Sequence, residues 1–214
     1  MSNPMRNMRF ARARQPRIPT FLSAEEIAAM IDAEQPLESR GPHLRHHRAL
    51  ELRDRAMLEV AYATGCRVAE LMSLNWEDLR GGMAGDVRII EGKGGRDRVV
   101  LNGEPALDVL AKWHRMAWSK ELGAPIFQNL QGERLTVRAA ELVFRTRGER
   151  AGIKEHVHPH MFRHSCATHL LERGAGIADI GALLGHKNLS TTTVYTHTNM
   201  AFLRDQHARA FPRA

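Results

Sequence analysis

The sequence is short of the features that would tie it to a membrane, a secretory route or a resident metal. Its 214 residues include two cysteines, Cys66 and Cys166, too few for a disulfide framework and without the close spacing of a zinc ribbon or a redox motif. A reducing compartment fits, and a cytoplasmic location is the expectation. No apolar run follows the N-terminal segment that would serve as a signal or a membrane span. There is no internal repeat and no low-complexity segment. The first 19 residues lack acids while carrying Arg6, Arg9, Arg12, Arg14 and Arg17. Such a leader has a transit-peptide look, but it reads equally as a basic arm or linker lying on phosphates, with Arg12, Arg14 and Arg17 as DNA contacts, and the arm is the preferred reading.

Lys and Arg outnumber Asp and Glu by 31 to 24, a net charge of +7, with a pI near 10.1. That balance suits a polyanionic partner, nucleic acid first, though a solvated basic surface accounts for it as well. The length allows one substantial domain, residues 20–214, with a core that needs no disulfide or metal, and excludes a large multidomain machine.

Helical signals dominate. Ser23 and Glu26 form a capping box for a helix over 24–33. Residues 34–47, with Pro36, Gly41 and Pro42, read as a surface loop, and Arg45, His46, His47 and Arg48 at and just beyond its end face DNA or solvent. Leu52, Ala56, Val60 and Ala61 recur at helical spacing over 49–64, and Gly65 is placed to stop that helix in a left-handed cap. A further helix starts near Arg67 with Val68, Leu71 and Met72 on its apolar face, leading towards a turn at Gly81, Gly82 and Gly85. Two β-prone runs, 87–91 and 98–101, flank Gly92, Lys93, Gly94 and Gly95 and predict a hairpin with a lysine at its tip. Helices are expected over 104–122, 137–151, 160–173 and 177–184, and again near the C-terminus. The fold class is mainly α with a small antiparallel β-hairpin or sheet.

Two arginines stand apart from ordinary surface arginines. Arg67 directly follows a helix stop, and Arg163 lies one turn after His160, so that His160 and Arg163 share a helix face. Pro159 suits the first turn of that helix, where free N–H groups and the positive dipole end would favour an anion. From spacing alone, surface roles for the arginines and a capping role for His160 fit equally well. His156, His158, His160, His164 and His169 invite a metal assignment, but no carboxylate or cysteine stands among them at ligand spacing. His164 and His169 read better as packed or hydrogen-bonded helix residues.

Taken together, Tyr62-Ala-Thr-Gly-Cys-Arg67-Val-Ala-Glu70-Leu71, Gly92-Lys93-Gly94, His160-Met-Phe-Arg163-His164, Leu184-Gly185-His186 and Thr191-Thr-Thr-Val-Tyr195-Thr-His197 resemble the signature of the tyrosine recombinase (phage integrase) family, XerC/XerD-type recombinases in particular. The resemblance runs from about Pro19 to the C-terminus, and separated blocks in the right order are far more specific than any one alone. It implies the tyrosine recombinase catalytic-domain fold. It also implies a site-specific recombinase that acts in DNA integration, excision, inversion or resolution through a 3′-phosphotyrosine. Arg67 and Arg163 would grip the scissile phosphate, His160 and His186 would add hydrogen bonds and proton transfer, with His160 the general base, and Lys93 would be the general acid. Tyr195 would be the nucleophile, and Glu70 would orient Arg67. Prepositioned guanidinium groups stabilise the charge that builds on phosphate oxygens, so neither a metal nor another cofactor is expected.

The resemblance further implies double-stranded DNA as partner and assembly as a homo-tetramer or with a second recombinase, and no membrane partner. Residues 200–209 would form a short helix that docks on a neighbouring subunit. The family's N-terminal DNA-clamp domain is absent from the expected organisation, which suggests a truncated form or a naturally small recombinase. Three other functions stay open at this point: a non-cutting DNA-binding regulator, a type IB topoisomerase and a metal-dependent hydrolase.

Overall fold

A computed structural model describes residues 21–34, 43–80, 86–89, 98–100 and 103–185. The expectations for the arm at 1–19, the hairpin tip with Lys93, the turn glycines at 81–85, His186, Tyr195 and the C-terminal helix lie outside the described residues.

The chain begins as its capping box predicts. The Ser23 hydroxyl accepts the Glu26 N–H, the Glu26 carboxylate accepts the Ser23 N–H, and α1 runs Ala24–Asp32 with Ile27, Met30 and Ile31 buried. A cap of this kind is worth about 1 kcal/mol. Helix α2, His43–Thr64, starts six residues before the predicted position, which corrects the loop reading over 43–47, while 35–42 lie outside the described residues. The reason is tertiary. Ala49 is buried where α2 packs along α4, and the turn before it exposes Arg45, His46 and Arg48, so polarity on that side does not oppose helix. Gly65 ends α2 at φ +56, in the left-handed region that glycine adopts without penalty.

Helix α3, Val68–Ser73, follows with Leu71 and Met72 inward, then a single 3-10 turn, Trp76–Asp78. The predicted hairpin is present as β2, Asp86–Ile89, and β3, Arg98–Val100, antiparallel with Val87 opposite Val100 and Ile89 opposite Arg98. A third strand, β1, Leu79–Arg80, pairs with β2 and gives the order β1-β2-β3. At two residues it is too short to carry any periodicity.

Helix α4, Glu104–Met116, ends before the predicted 122. Competing hydrogen bonds pull the chain away. The Ser119 N–H donates to the Gln128 side chain, and the Ser119 carbonyl accepts from Gln128 and from the Trp76 indole. Helices α5, Val137–Arg150, α6, Pro159–Glu172, and α7, Ile177–Leu184, match the expected segments to within a residue, with Pro159 in the first turn of α6.

The core forms where α1, α2, α5 and α6 meet. Phe162 sits edge-on to Phe144 at 4.8 Å and to Tyr62 at 6.5 Å, and side chains of this size each contribute about 1.5–3 kcal/mol on burial. Arg147 crosses this core at 1% exposure, donating to the carbonyls of Ala33 and Glu51 and pairing with the Glu51 carboxylate at 2.8 Å. It thereby satisfies carbonyls at the end of α1 that have no partner within that helix.

Candidate active site

The site is built where α2 ends. The carbonyl of Gly65, the residue that stops α2, accepts from Nη1 of Arg163 at 2.8 Å, and the carbonyl of Leu184, at the end of α7, accepts from Nη2 at 2.7 Å. One guanidinium thus spans two chain ends, and α6 supplies it. The first bond joins residues 98 apart in sequence. Gly65 is two residues before Arg67, and Leu184 is two before His186, so Arg163 draws together three of the sequence blocks.

Arg67 is the N-cap of α3. The Glu70 carboxylate holds it twice, accepting the backbone N–H at 2.8 Å and Nη1 at 2.7 Å. Glu70 is 9% exposed at its side chain and Arg67 is 39% exposed. A sunken carboxylate therefore fixes an arginine whose side chain is partly exposed. The sequence reading of Glu70 as a partner of Arg67 matches this geometry, and a charge-assisted pair with two bonds holds orientation far better than an exposed i,i+3 pair.

His160 and Arg163 fall on α6 as their spacing predicts, His160 exposed and Arg163 half-buried. His158 lies beside His160, ring centroids 6.3 Å apart. Burial, then the neighbouring His160 and His156, holds His158 below the usual imidazole range. His169 is buried, as expected, and shares a 2.7 Å hydrogen bond through Nδ1 with the Tyr62 hydroxyl. His164 corrects the expectation. It is exposed, with its ring edge-on to Phe21 at 6.3 Å, because its position on α6 faces away from the core that takes up His169.

Cys66 and Cys166 are both buried and reduced. Burial pushes the Cys166 thiol up to about 12, against the pull of Arg163, which makes it an unreactive packing group. Among the described residues no three His, Cys, Asp or Glu side chains are grouped to hold a metal, and no helix is long and apolar enough to cross a membrane.

Arg45 and Arg48 lie at the other end of α2, about 25–30 Å from Gly65 at 1.5 Å per residue, and are exposed. Arg45, His46, Ala49, Met116, Ala117 and Trp118 line a cavity of about 320 Å³ there. The fold does not bring these arginines to Arg67 and Arg163. Strand β3 packs beside α7, so the hairpin that carries Lys93 in sequence is anchored next to the helix that leads to His186. Sequence reasoning missed the two carbonyls that hold Arg163, since a backbone acceptor leaves no residue signature beyond the helix-stopping glycine.

Comparison with known proteins points to one family. Residues 20–201 match the model of the phage integrase family. Tyrosine recombinase XerC of Actinobacillus pleuropneumoniae is 36% identical over 200 residues, covering 92% of this chain, and the chain spans only 61% of that relative's length. The crystal structure of XerA recombinase superposes with a TM-score of 0.68 at 28% identity over 94% of this chain and 68% of that one. The XerH site-specific recombinase bound to its difH substrate, a pre-cleavage complex, has a TM-score of 0.64 at 25% identity, covering 86% of this chain and 52% of that one.

Proposed function

The chain belongs to the phage integrase family, and from that premise we propose that it is a site-specific DNA recombinase that cuts and rejoins strands through a 3′-phosphotyrosine. The observation that carries the reading is the clustering around Arg163, which links the Arg67 block and the Leu184-Gly185-His186 block at one point of the surface. Arg67, oriented by Glu70, and Arg163 act on the two non-bridging oxygens of the scissile phosphate. Rigid guanidinium groups placed before the reaction stabilise the charge that grows there without a metal.

Tyr195 is the nucleophile in this reading. The chain has two tyrosines, and Tyr62 is fully buried with its hydroxyl bonded to His169, so it is sealed from a phosphate. Attack forms the Tyr195 Oη–P bond and breaks the P–O5′ bond. His160 takes the phenol proton, His186 bonds the phosphate, and Lys93 protonates the departing 5′ oxygen. The bond energy stays in the phosphotyrosine, so a 5′ hydroxyl reverses the step with no ATP.

Double-stranded DNA is the partner. Residues 20–214 act as the catalytic unit, and Arg12, Arg14, Arg17, Arg45 and Arg48 contact the backbone outside the reacting centre. Strand exchange calls for several protomers on one DNA site, either four copies of this chain or copies paired with a second recombinase, joined through residues 200–209. The cytoplasm is the compartment.

Covalent capture tests the reading. Protein incubated with sheared, nicked DNA from its source, then denatured and washed, should retain DNA that the Tyr195→Phe protein does not. Equal retention by both would overturn the assignment of the nucleophile.

A further inference from the structure

Arg163 is held by two backbone carbonyls that belong to different elements, and those elements touch each other directly. A methyl group built on Gly65 would stand 2.5 Å from Leu184 Cδ2 and 3.3 Å from Cys166 Sγ, so the Leu184 side chain rests on the bare α-carbon of Gly65. Leu184 is 3% exposed and Gly185 after it is left-handed at φ 68. The carbonyls of the two touching residues are the two that take Nη1 and Nη2 of Arg163. Their separation, and with it the plane of the guanidinium, is set by how closely Leu184 seats on Gly65.

We propose that Gly65 and Leu184 are positioning residues: their contact forms a seat that fixes the plane of the Arg163 guanidinium for the scissile phosphate, resting on the recombinase reading given above. The physical reason is that a guanidinium discriminates by direction. Its donors lie in one plane, so a tilt of the fork misaligns it with the phosphate oxygens even when the charge stays nearby. Two carbonyls at a set spacing remove that tilt, and the spacing survives only while residue 65 lacks a side chain. The same seat docks the end of α7 against the end of α2, so the arginine is aligned only when α7 is in place.

The test uses the full chain and two variants. Gly65→Ala lifts Leu184 directly, and Leu184→Ala removes the side chain that rests there while leaving Gly65 its natural backbone. Both are compared with wild type by circular dichroism at a temperature where all three are folded. The first readout needs no DNA: nitrogen-15 NMR of the Arg163 guanidinium, assigned with Arg163→Lys as the blank. Wild type should show slow rotation of the fork with separate Nη signals, and a folded variant should show them merged. The second is the rate of covalent capture on nicked DNA with an ordinary scissile phosphate and with a neutral methylphosphonate in its place. On phosphate the folded variants should react about tenfold to a hundredfold slower, the range for misplaced catalytic groups, at unchanged DNA affinity. On methylphosphonate, which lacks the charge the arginine neutralises, they should come close to wild type.

Equal slowing on both substrates would mean a general packing defect and overturn the proposal. So would separate, slowly rotating Nη signals retained in both variants. Failure of wild type to capture either DNA would instead overturn the recombinase reading, while the NMR comparison would still decide whether the seat holds Arg163.

Discussion

His169 shows how a residue with a well-known chemistry is assigned by its surroundings. Its spacing places it with His160 and His164 in one histidine run, but its ring is buried against Tyr62 and Phe21. Burial holds its pKa below the ordinary 6.5, opposed by Glu172. Above about pH 6.5 the ring is neutral in the folded and unfolded chain alike, and the native state keeps its full stability from this group. As pH falls below that value the unfolded chain takes up a proton that the folded chain resists, so stability declines until the lowered folded pKa is passed. Urea unfolding at pH 7.5 and 5.5 should show a smaller loss on acidification for His169→Asn than for wild type. An identical loss would show that the ring is not the group responsible. Arg67 is assigned in the same way: the family resemblance implied Glu70 as its partner, whereas the burial that makes its hold firm was not legible in the sequence.

At the scale of elements, two opposing preferences meet at Gly148. It lies within α5, where alanine is favoured over glycine by about 1 kcal/mol. A Cβ there, however, would stand 2.6 Å from Val157 Cγ2 and 3.0 Å from Val157 Cβ. Overpacking of that kind costs about 1–3 kcal/mol, so packing outweighs propensity and Gly148→Ala should lower the midpoint of thermal unfolding. Adding Val157→Ala should recover part of the loss relative to the two single changes summed. A stabilised Gly148→Ala protein would show that the two segments separate easily. The boundaries of α2 and α4 obey the same rule. Each departed from its local pattern, α2 extended by its packing on α4 and α4 shortened by hydrogen bonds to Gln128 and Trp76, because contacts remote in sequence outbid propensity at helix ends.

For the molecule as a whole, on the proposed recombinase reading, the basic balance and the spread of its arginines bear on DNA affinity more than on the chemical step. Exposed Arg45 and Arg48 lie far along α2 from Arg163, so changing both to alanine should weaken binding evenly across DNA sequences. The slope of log affinity against log salt should become shallower by about 1 for each lost phosphate contact, while the rate of capture at saturating DNA stays as in wild type. An unchanged slope would place both arginines off the DNA. The sequence by itself determined the helical character, most helix positions, the hairpin strands and the family, because periodicity, caps and ordered motifs are local and survive without coordinates. Only the tertiary structure decided that Gly65 and Leu184 hold Arg163, that Tyr62 is sealed beside His169, and that Arg45 and Arg48 stand apart from Arg67 and Arg163. Those facts depend on backbone carbonyls, burial and distances between segments far apart in the chain, and none of these is written in the order of residues along any one segment.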